Sequence, residues 1–312
     1  MPVVHIDTAR GSLPPTRKKP MIVASALLFM ALAWTVQASA MPITFTASGP
    51  NAAGIQSSVD SFRAALGNPD NVNGGPQATG HREINWDGGG ATNGTAAVTP
   101  FTVFQNTRGA TFTTPGSGLT QAPISGGTVD IAPGVGGLQG SLSALNASYA
   151  TAFATFSPNR LFVPLDSTIT DGTFSVPGTG GTVPATVSGF GVVFTDVDLA
   201  GSSSLQFFDT QGNSLGIFSA PCGSGATCSS TNGTLSFLGV LFTSEQIARV
   251  RVINGNTALG PDDNPAGGVD VVALDDFLFA EPRAVPAPAG LTLLGLGLVG
   301  VIAQSWLRKR GV

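Results

Sequence analysis

The stretch "VSGFGVVFTDVDLAGSSSLQFFDTQGNSLGIFSA", residues 187–220, decides the fold class. Phe190 to Phe194 form an apolar run of aromatic and β-branched residues, and it ends in the alternation Thr195-Asp196-Val197-Asp198. That pattern predicts a strand. The segment that follows, from Ser204 to Ala220, reads as a hairpin: two short strands about a turn at Thr210 to Asn213.

Working downstream, "NGTLSFLGVLF" (232–242) opens on the turn pair Asn232-Gly233 and continues as a strand. "SEQIA" (244–248) reads as one helical turn capped by Ser244. "RVRVING" (249–255) alternates, with Val250 and Val252 on one face and Arg249 and Arg251 on the other. "VDVVALDDFLFAEP" (269–282) predicts a long final strand. Short strands at this spacing, parted by Gly, Asn and Asp turns, indicate an antiparallel β-sandwich.

Upstream the pattern is looser. Asn51 to Leu66 predicts the one good helix: Asn51 caps it, Ile55, Val59, Phe62 and Leu66 share a face, and Gly67 ends it. "HREINWDGGG" (81–90) is a short strand stopped by Asp87-Gly88, and "TPFTVFQNTRGATFTTPG" (99–116) holds one or two strands. Residues 114–140 are rich in Gly, Pro and Ser and read as long loops. No repeat of fixed period is present, and Pro177 to Pro184 offers the one seam. The expected fold is mostly β, a jelly-roll-like sandwich with one N-terminal helix and a C-terminal transmembrane helix.

The ends of the chain predict export. Arg17-Lys18-Lys19, the apolar block Met21 to Trp34 and Ala38-Ser39-Ala40 have the order of a secretory signal, with cleavage after Ala40. At the other end Gly290 to Leu307 is 18 residues without a charge, followed by Arg308-Lys309-Arg310. As a helix it would span about 27 Å, close to a hydrocarbon core of about 30 Å. The three cations would stop it on the cytoplasmic side of the inner membrane. The organisation read from the sequence is thus a leader (1–40), an extracytoplasmic β domain (41–283), a Pro-rich motif (284–289), a membrane helix (290–307) and a basic tail (308–312).

Val285-Pro286-Ala287-Pro288, then an apolar Leu/Gly helix, then a basic cluster, resembles the PEP-CTERM sorting tail of Gram-negative bacteria. The resemblance covers about Val285 to Val312, and Ala287 stands where the family's motif has Glu. It implies that Val285 to Pro288 are recognised by an exosortase-type processing enzyme. It also implies that the protein passes to the cell surface or beyond, often where exopolysaccharide is made. "VVALDDFLF" (271–279) is also similar to the closing strand of jelly-roll adhesion and carbohydrate-binding modules.

Residues 41–283 carry 17 acidic residues against 7 arginines and no lysine, a formal charge of −10. So acidic a domain argues against nucleic acid as a partner and suits cations. Its two cysteines, Cys222 and Cys228, would form a disulfide outside the cytoplasm, pinning one loop by roughly 2 kcal/mol.

Catalytic patterns are few. His81 is the one histidine of the domain, no G-x-S-x-G elbow or H-E-x-x-H occurs, and "PDDNPAGG" (261–268) imitates a calcium loop at Asp262, Asn264 and Gly267 but fails the EF-hand pattern at Ala266 and Ala273. Glu83 and Asp87 flank Trp86, a pair that a hydrolase with His81 nearby could use around a sugar-stacking ring. The reading preferred here is a core Trp with Asp87 at the turn. Asp196 and Asp198, two apart on a strand, point one way, and Asp275-Asp276 on another strand could meet them. Four carboxylates so placed would suit Ca²⁺. The function expected is an exported, non-enzymatic surface or matrix protein; the alternatives are a calcium-dependent carbohydrate-binding module with Trp86 as a contact, or a secreted hydrolase.

Overall fold

The computed structural model describes residues 41–72, 74–88, 97–126, 140–222, 228, 231–244 and 246–285, together with Met1. The chain divides into two units, Met1–Ser39 and Ala40–Val312, and every described element belongs to the second. In chain order these are β1 (Ile43–Gly49), α1 (Ala52–Leu66), β2 (His81–Ile84), β3 (Ala110–Thr113), β4 (Gly118–Pro123), α2 (Leu142–Leu145), α3 (Tyr149–Ala152), β5 (Arg160–Leu165), β6 (Ile169–Ser175), β7 (Pro184–Thr186), β8 (Gly189–Thr195), β9 (Ser204–Phe208), β10 (Ser214–Ser219), β11 (Leu235–Leu241), β12 (Arg249–Ile253), β13 (Ala273–Ala280) and β14 (Arg283–Ala284).

The strands form two antiparallel sheets of seven. The first runs β1-β11-β8-β13-β5-β4, with β2 also pairing β13, and the second runs β10-β9-β12-β6-β7-β14, with β3 also pairing β6. Every residue of β8 and of β13 is buried, because the first sheet is covered on both faces. That is why β8 reads as an apolar run rather than as alternation, and β13 as an apolar run broken only by Asp275-Asp276. In the second sheet β12 alternates as its sequence predicts, Val250 and Val252 inward and the two arginines outward. The hairpin read from residues 204–220 is β9 paired with β10, and Asp209 closes its turn by accepting from the N–H groups of Gln211 and Asn213.

Helix α1 forms as its periodicity dictates. Asn51 Oδ1 accepts from the Gly54 N–H, Ile55, Val59, Phe62 and Leu66 are buried, and Gly67 ends the helix at φ 102°. Phe62 seats the helix on the first sheet between Phe45 and Phe237, ring centroids 5.3 and 5.6 Å away. The seat exists because two paired strand residues are glycines: a Cβ on Gly191 or Gly239 would stand 2.7 or 2.8 Å from that ring. A second patch of core, around Tyr149, Leu161, Val163, Val271 and Ala273, lies beneath α2 and α3.

Strand β13 carries a bulge. Its register with β8 slips between Leu274 and Phe277, and its other neighbour changes there from β5 (Leu274 against Phe162) to β2 (Phe277 to Ala280). The bulged residues are Asp275 and Asp276. Trp86 packs beside this point, fully buried, stacked on Phe162 at 3.7 Å and edge-on to Phe277 at 4.9 Å. Near the end of β13, Arg82 and Glu281 form a buried bidentate pair, with Arg82 also donating to the carbonyls of Asn71, Gly75 and Thr107. All five guanidinium donors are engaged, the condition under which a buried ion pair is tolerated.

Three sequence expectations change. Residues 118–123, read as loop, form the buried edge strand β4. No helical turn is present at Ser244 to Ala248 among the described residues; Ile247 instead makes a bridge to Val187. The seam at Pro177 to Pro184 is the turn of a hairpin, since Phe174 and Ser175 pair with Ala185 and Pro184. Cys222 and Cys228 are joined in a disulfide. No helix among the described residues is long and apolar enough to cross a membrane. Residues 2–40, which hold most of the expected leader, Pro286 to Pro288, the apolar segment 290–307 and Arg308-Lys309-Arg310 lie outside the described residues; Val285 is exposed after β14.

Candidate metal centre

The site forms where two loops meet at one end of the sandwich. The first leaves β8. Its apolar run stops at Thr195, and Asp196 turns the chain in the left-handed region (φ 69°) while its N–H donates to the Thr234 carbonyl at 2.8 Å. Val197 is buried in the core, and Asp196 and Asp198 flank it. The pair therefore does not converge by strand alternation, as its spacing suggests. It converges because a turn, with an apolar residue as its pivot, follows the strand.

The second loop joins β12 to β13. Tyr149 anchors it, its hydroxyl donating to the Pro261 carbonyl and accepting from the Gly260 N–H, both at 2.8 Å. Asn146 holds Asp262 at 2.9 Å. Asn264 caps a single 3₁₀ turn, Pro265–Gly267. Between them Asp263 accepts the Val271 N–H at 2.8 Å through Oδ1. Asp196, Asp198 and Asp263 each present a carboxylate oxygen within 4.8 Å of the others.

Asp196 is 0% exposed and Asp198 2%, and among the described residues no N–H or O–H group donates to any of their four carboxylate oxygens, the Asp198 carboxylate facing that of Asp263. The Gly233 N–H, which lies near enough to favour a charged Asp196, is donated to the Ala152 carbonyl at 2.9 Å. Burial, then the charges of Asp198, Asp263 and Asp270, push Asp196 up to about 9. Burial, with Asp263 and Asp270, raises Asp198 to about 7. Asp263 and Asp270 are also raised, burial being the main cause in both. Unpaired buried carboxylates are among the costliest arrangements a protein can hold. They must take up protons or a cation. The donor set is oxygen alone, without imidazole or thiolate, so it suits a hard cation rather than zinc or copper.

Asp275 and Asp276 do not belong to this group; they are engaged at the bulge. Asp275 Oδ2 accepts the Phe156 N–H at 2.6 Å, and the Ser157 hydroxyl donates to Asp276 Oδ1 at 2.6 Å. The Trp86 indole N–H donates to the Asp275 carbonyl at 3.0 Å. Burial pushes Asp275 well above the ordinary range and Asp276 to about 6. These two carboxylates tie the bulge to the turn after α3. Trp86 is fully buried and offers no ring face to a ligand, which agrees with the preferred reading of a core Trp and removes the alternative of a ligand contact.

Glu83 and Asp87 serve different partners. Arg63 grips Glu83 at 2.6 and 2.9 Å, while Asp87 accepts the Arg160 N–H at 3.0 Å. His81 lies between the Gly67 carbonyl (Nδ1, 2.6 Å) and Glu83 (Nε2, 2.9 Å). With an acceptor at each nitrogen the imidazolium is favoured: burial works against the charge, but Glu83 and Gly67 outweigh it and raise the ring. Glu83, despite burial, is held at about 2 by His81 and Arg63. In this state His81 has no lone pair to accept a proton as a general base.

Sequence reading missed Asp263. Its neighbours Asp262 and Asn264 drew notice as an imperfect calcium loop, but Asp263 itself supplies the carboxylate, toward a different loop. No family model, curated protein or solved structure matches this chain.

Proposed function

We propose that this is an exported, non-enzymatic surface or matrix protein whose β-sandwich is closed at one end by a calcium ion. The observation that carries the calcium reading is the set of four oxygens on buried Asp196 and Asp198 to which no donor among the described residues is bonded, with Asp263 beside them. Three carboxylates supply up to six oxygens, and loop carbonyls or water can complete the six to eight that Ca²⁺ takes. Mg²⁺ demands a tighter octahedron and keeps its own water, which fits a buried cage less well. Chain crossings support a jelly-roll-like assignment, since β8, β11 and β13 lie in one sheet and β9, β10 and β12 in the other.

Export, tethering in the inner membrane and processing by an exosortase-type enzyme rest on the leader and on Val285 to Val312. Delivery to the cell surface or an exopolysaccharide matrix rests on the same tail. The non-enzymatic reading is supported by the engagement of His81, Glu83 and Asp87 in structural contacts. The carbohydrate-binding alternative loses its aromatic contact with the burial of Trp86. Thermal unfolding in EDTA and in rising CaCl₂ tests the calcium reading. A ligand held only by the folded state at 100 times its Kd stabilises by about 2.7 kcal/mol. An unfolding curve unchanged between EDTA and 5 mM CaCl₂ (about extracellular-module strength) would overturn it.

A further inference from the structure

We propose that Asp270 is the positioning residue of this cation site: it holds the Asp198 turn in register and adds a fourth negative charge without ligating the ion. The inference rests on the calcium reading above. Asp270 is fully buried, one residue before Val271 and seven after Asp263. Its two carboxylate oxygens are already engaged, Oδ1 accepting the Asp198 N–H at 3.3 Å and Oδ2 the Leu199 N–H at 3.0 Å. This contrasts with Asp196 and Asp198, whose oxygens accept from no donor among the described residues. One buried carboxylate thus points its lone pairs at the backbone of the loop that carries the other two.

Asp270 is itself braced from behind. Its N–H donates to Asn256 Oδ1 at 2.9 Å, and its carbonyl accepts the Asn256 and Thr257 N–H groups at 3.0 and 3.3 Å. Gly255 (φ 72°) lies so close that a Cβ there would stand 2.3 Å from the Asp270 carbonyl oxygen. Asp270 therefore joins the two loops of the site through its side chain on one and its backbone on the other. Meanwhile the Val271 N–H next to it fixes Asp263. A carboxylate that orients a ligand from behind in this way acts through that ligand, and losing such a group typically lowers metal affinity by about 10- to 100-fold.

The test is calcium titration of the folded full-length chain by calorimetry, comparing wild type with Asp270→Asn, alongside Tb³⁺ luminescence lifetimes in H₂O and D₂O. Asp270→Asn should keep one ion per chain, weaken Ca²⁺ binding by about 10- to 100-fold, and leave the number of waters on bound Tb³⁺ unchanged. Asp263→Asn, which removes a ligand, should weaken binding and admit additional water. A purely structural role would lower the unfolding temperature in EDTA but leave the affinity of the folded protein as it was. Asn256→Ala, which removes the brace and keeps the carboxylate, should weaken binding in the same direction and covers the case in which Asp270→Asn does not fold. Wild-type affinity in Asp270→Asn, or in Asn256→Ala where the former does not fold, overturns the proposal, as does an added Tb³⁺ water in Asp270→Asn. Failure of the wild-type chain itself to bind Ca²⁺ or Tb³⁺ would instead overturn the calcium reading on which the proposal rests.

Discussion

Replacing Asp196 by Asn should stabilise the metal-free protein and abolish its response to calcium. In EDTA the wild-type side chain is held near 9, against an ordinary value of 3.8, chiefly by burial. Between those values the folded state binds the proton more tightly than the unfolded state, so stability falls as pH rises through the window. At about 1.4 kcal/mol per unit, the gap to pH 8 sets an upper bound of about 6 kcal/mol. Relaxation and water entry reduce such penalties, leaving on the order of 2 kcal/mol. Asn carries no charge to desolvate and tolerates the left-handed backbone that Asp196 adopts. For a domain of 243 residues, that gain corresponds to a rise in unfolding temperature of roughly 4–8 °C. Asp198, raised to about 7, and Asp263, Asp270, Asp275 and Asp276, raised as well, steepen the same pH dependence. The informative quantity is therefore the difference between variant and wild type, followed by circular dichroism from pH 5 to 8. It should grow with pH in EDTA and reverse sign in millimolar CaCl₂. An Asp196→Asn protein that melts at or below wild type in EDTA at pH 8, or keeps the wild-type calcium shift, would show that Asp196 is neither strained by its charge nor a ligand.

Trp86→Ala should cost about 3–5 kcal/mol, read as a fall in the urea midpoint, because it empties a core position stacked on Phe162; a glycan-binding defect at unchanged stability would contradict the core assignment. Mass spectrometry of the unreduced protein should show the Cys222 and Cys228 peptides linked, and two alkylatable thiols would refute the bridge. With tags placed before Ala284 and after Val312, the upstream tag should reach the surface only in cells that possess the exosortase. Full-length chain retained in the membrane with or without the enzyme would make the tail a plain anchor. Ala287→Glu should then have no effect, whereas under processing it should speed release.

The parts of the fold legible in the sequence are those whose pattern is local. Helix α1 is spelled out by Asn51, by four apolar residues on one face and by Gly67. The β9–β10 hairpin and the alternation of β12 are equally local. Strand β4 is not legible, because "GLTQAP" is buried by its place between β5 and the loop at Val98, not by apolar content. The same distinction divides the candidate site. Asp196 and Asp198 are near neighbours and could be paired by inspection, although through the wrong geometry. Asp263 joins them only because Tyr149 and Val271 fix a distant loop beside the end of β8. Asp275 and Asp276, equally acidic and equally strand-borne in the sequence, are turned elsewhere by a bulge that marks a change of partner strand. A run of residues does not announce such a change.

The carboxylates of Asp196, Asp198 and Asp263 are proposed to hold a hard cation. The most direct measurement is a crystal structure of the protein grown in CaCl₂. One strong density peak should stand between the two loops, with oxygens of all three aspartates at about 2.3–2.6 Å and Asp270 still bonded to the N–H groups of Asp198 and Leu199. A site that holds only water under those conditions would overturn the cation assignment.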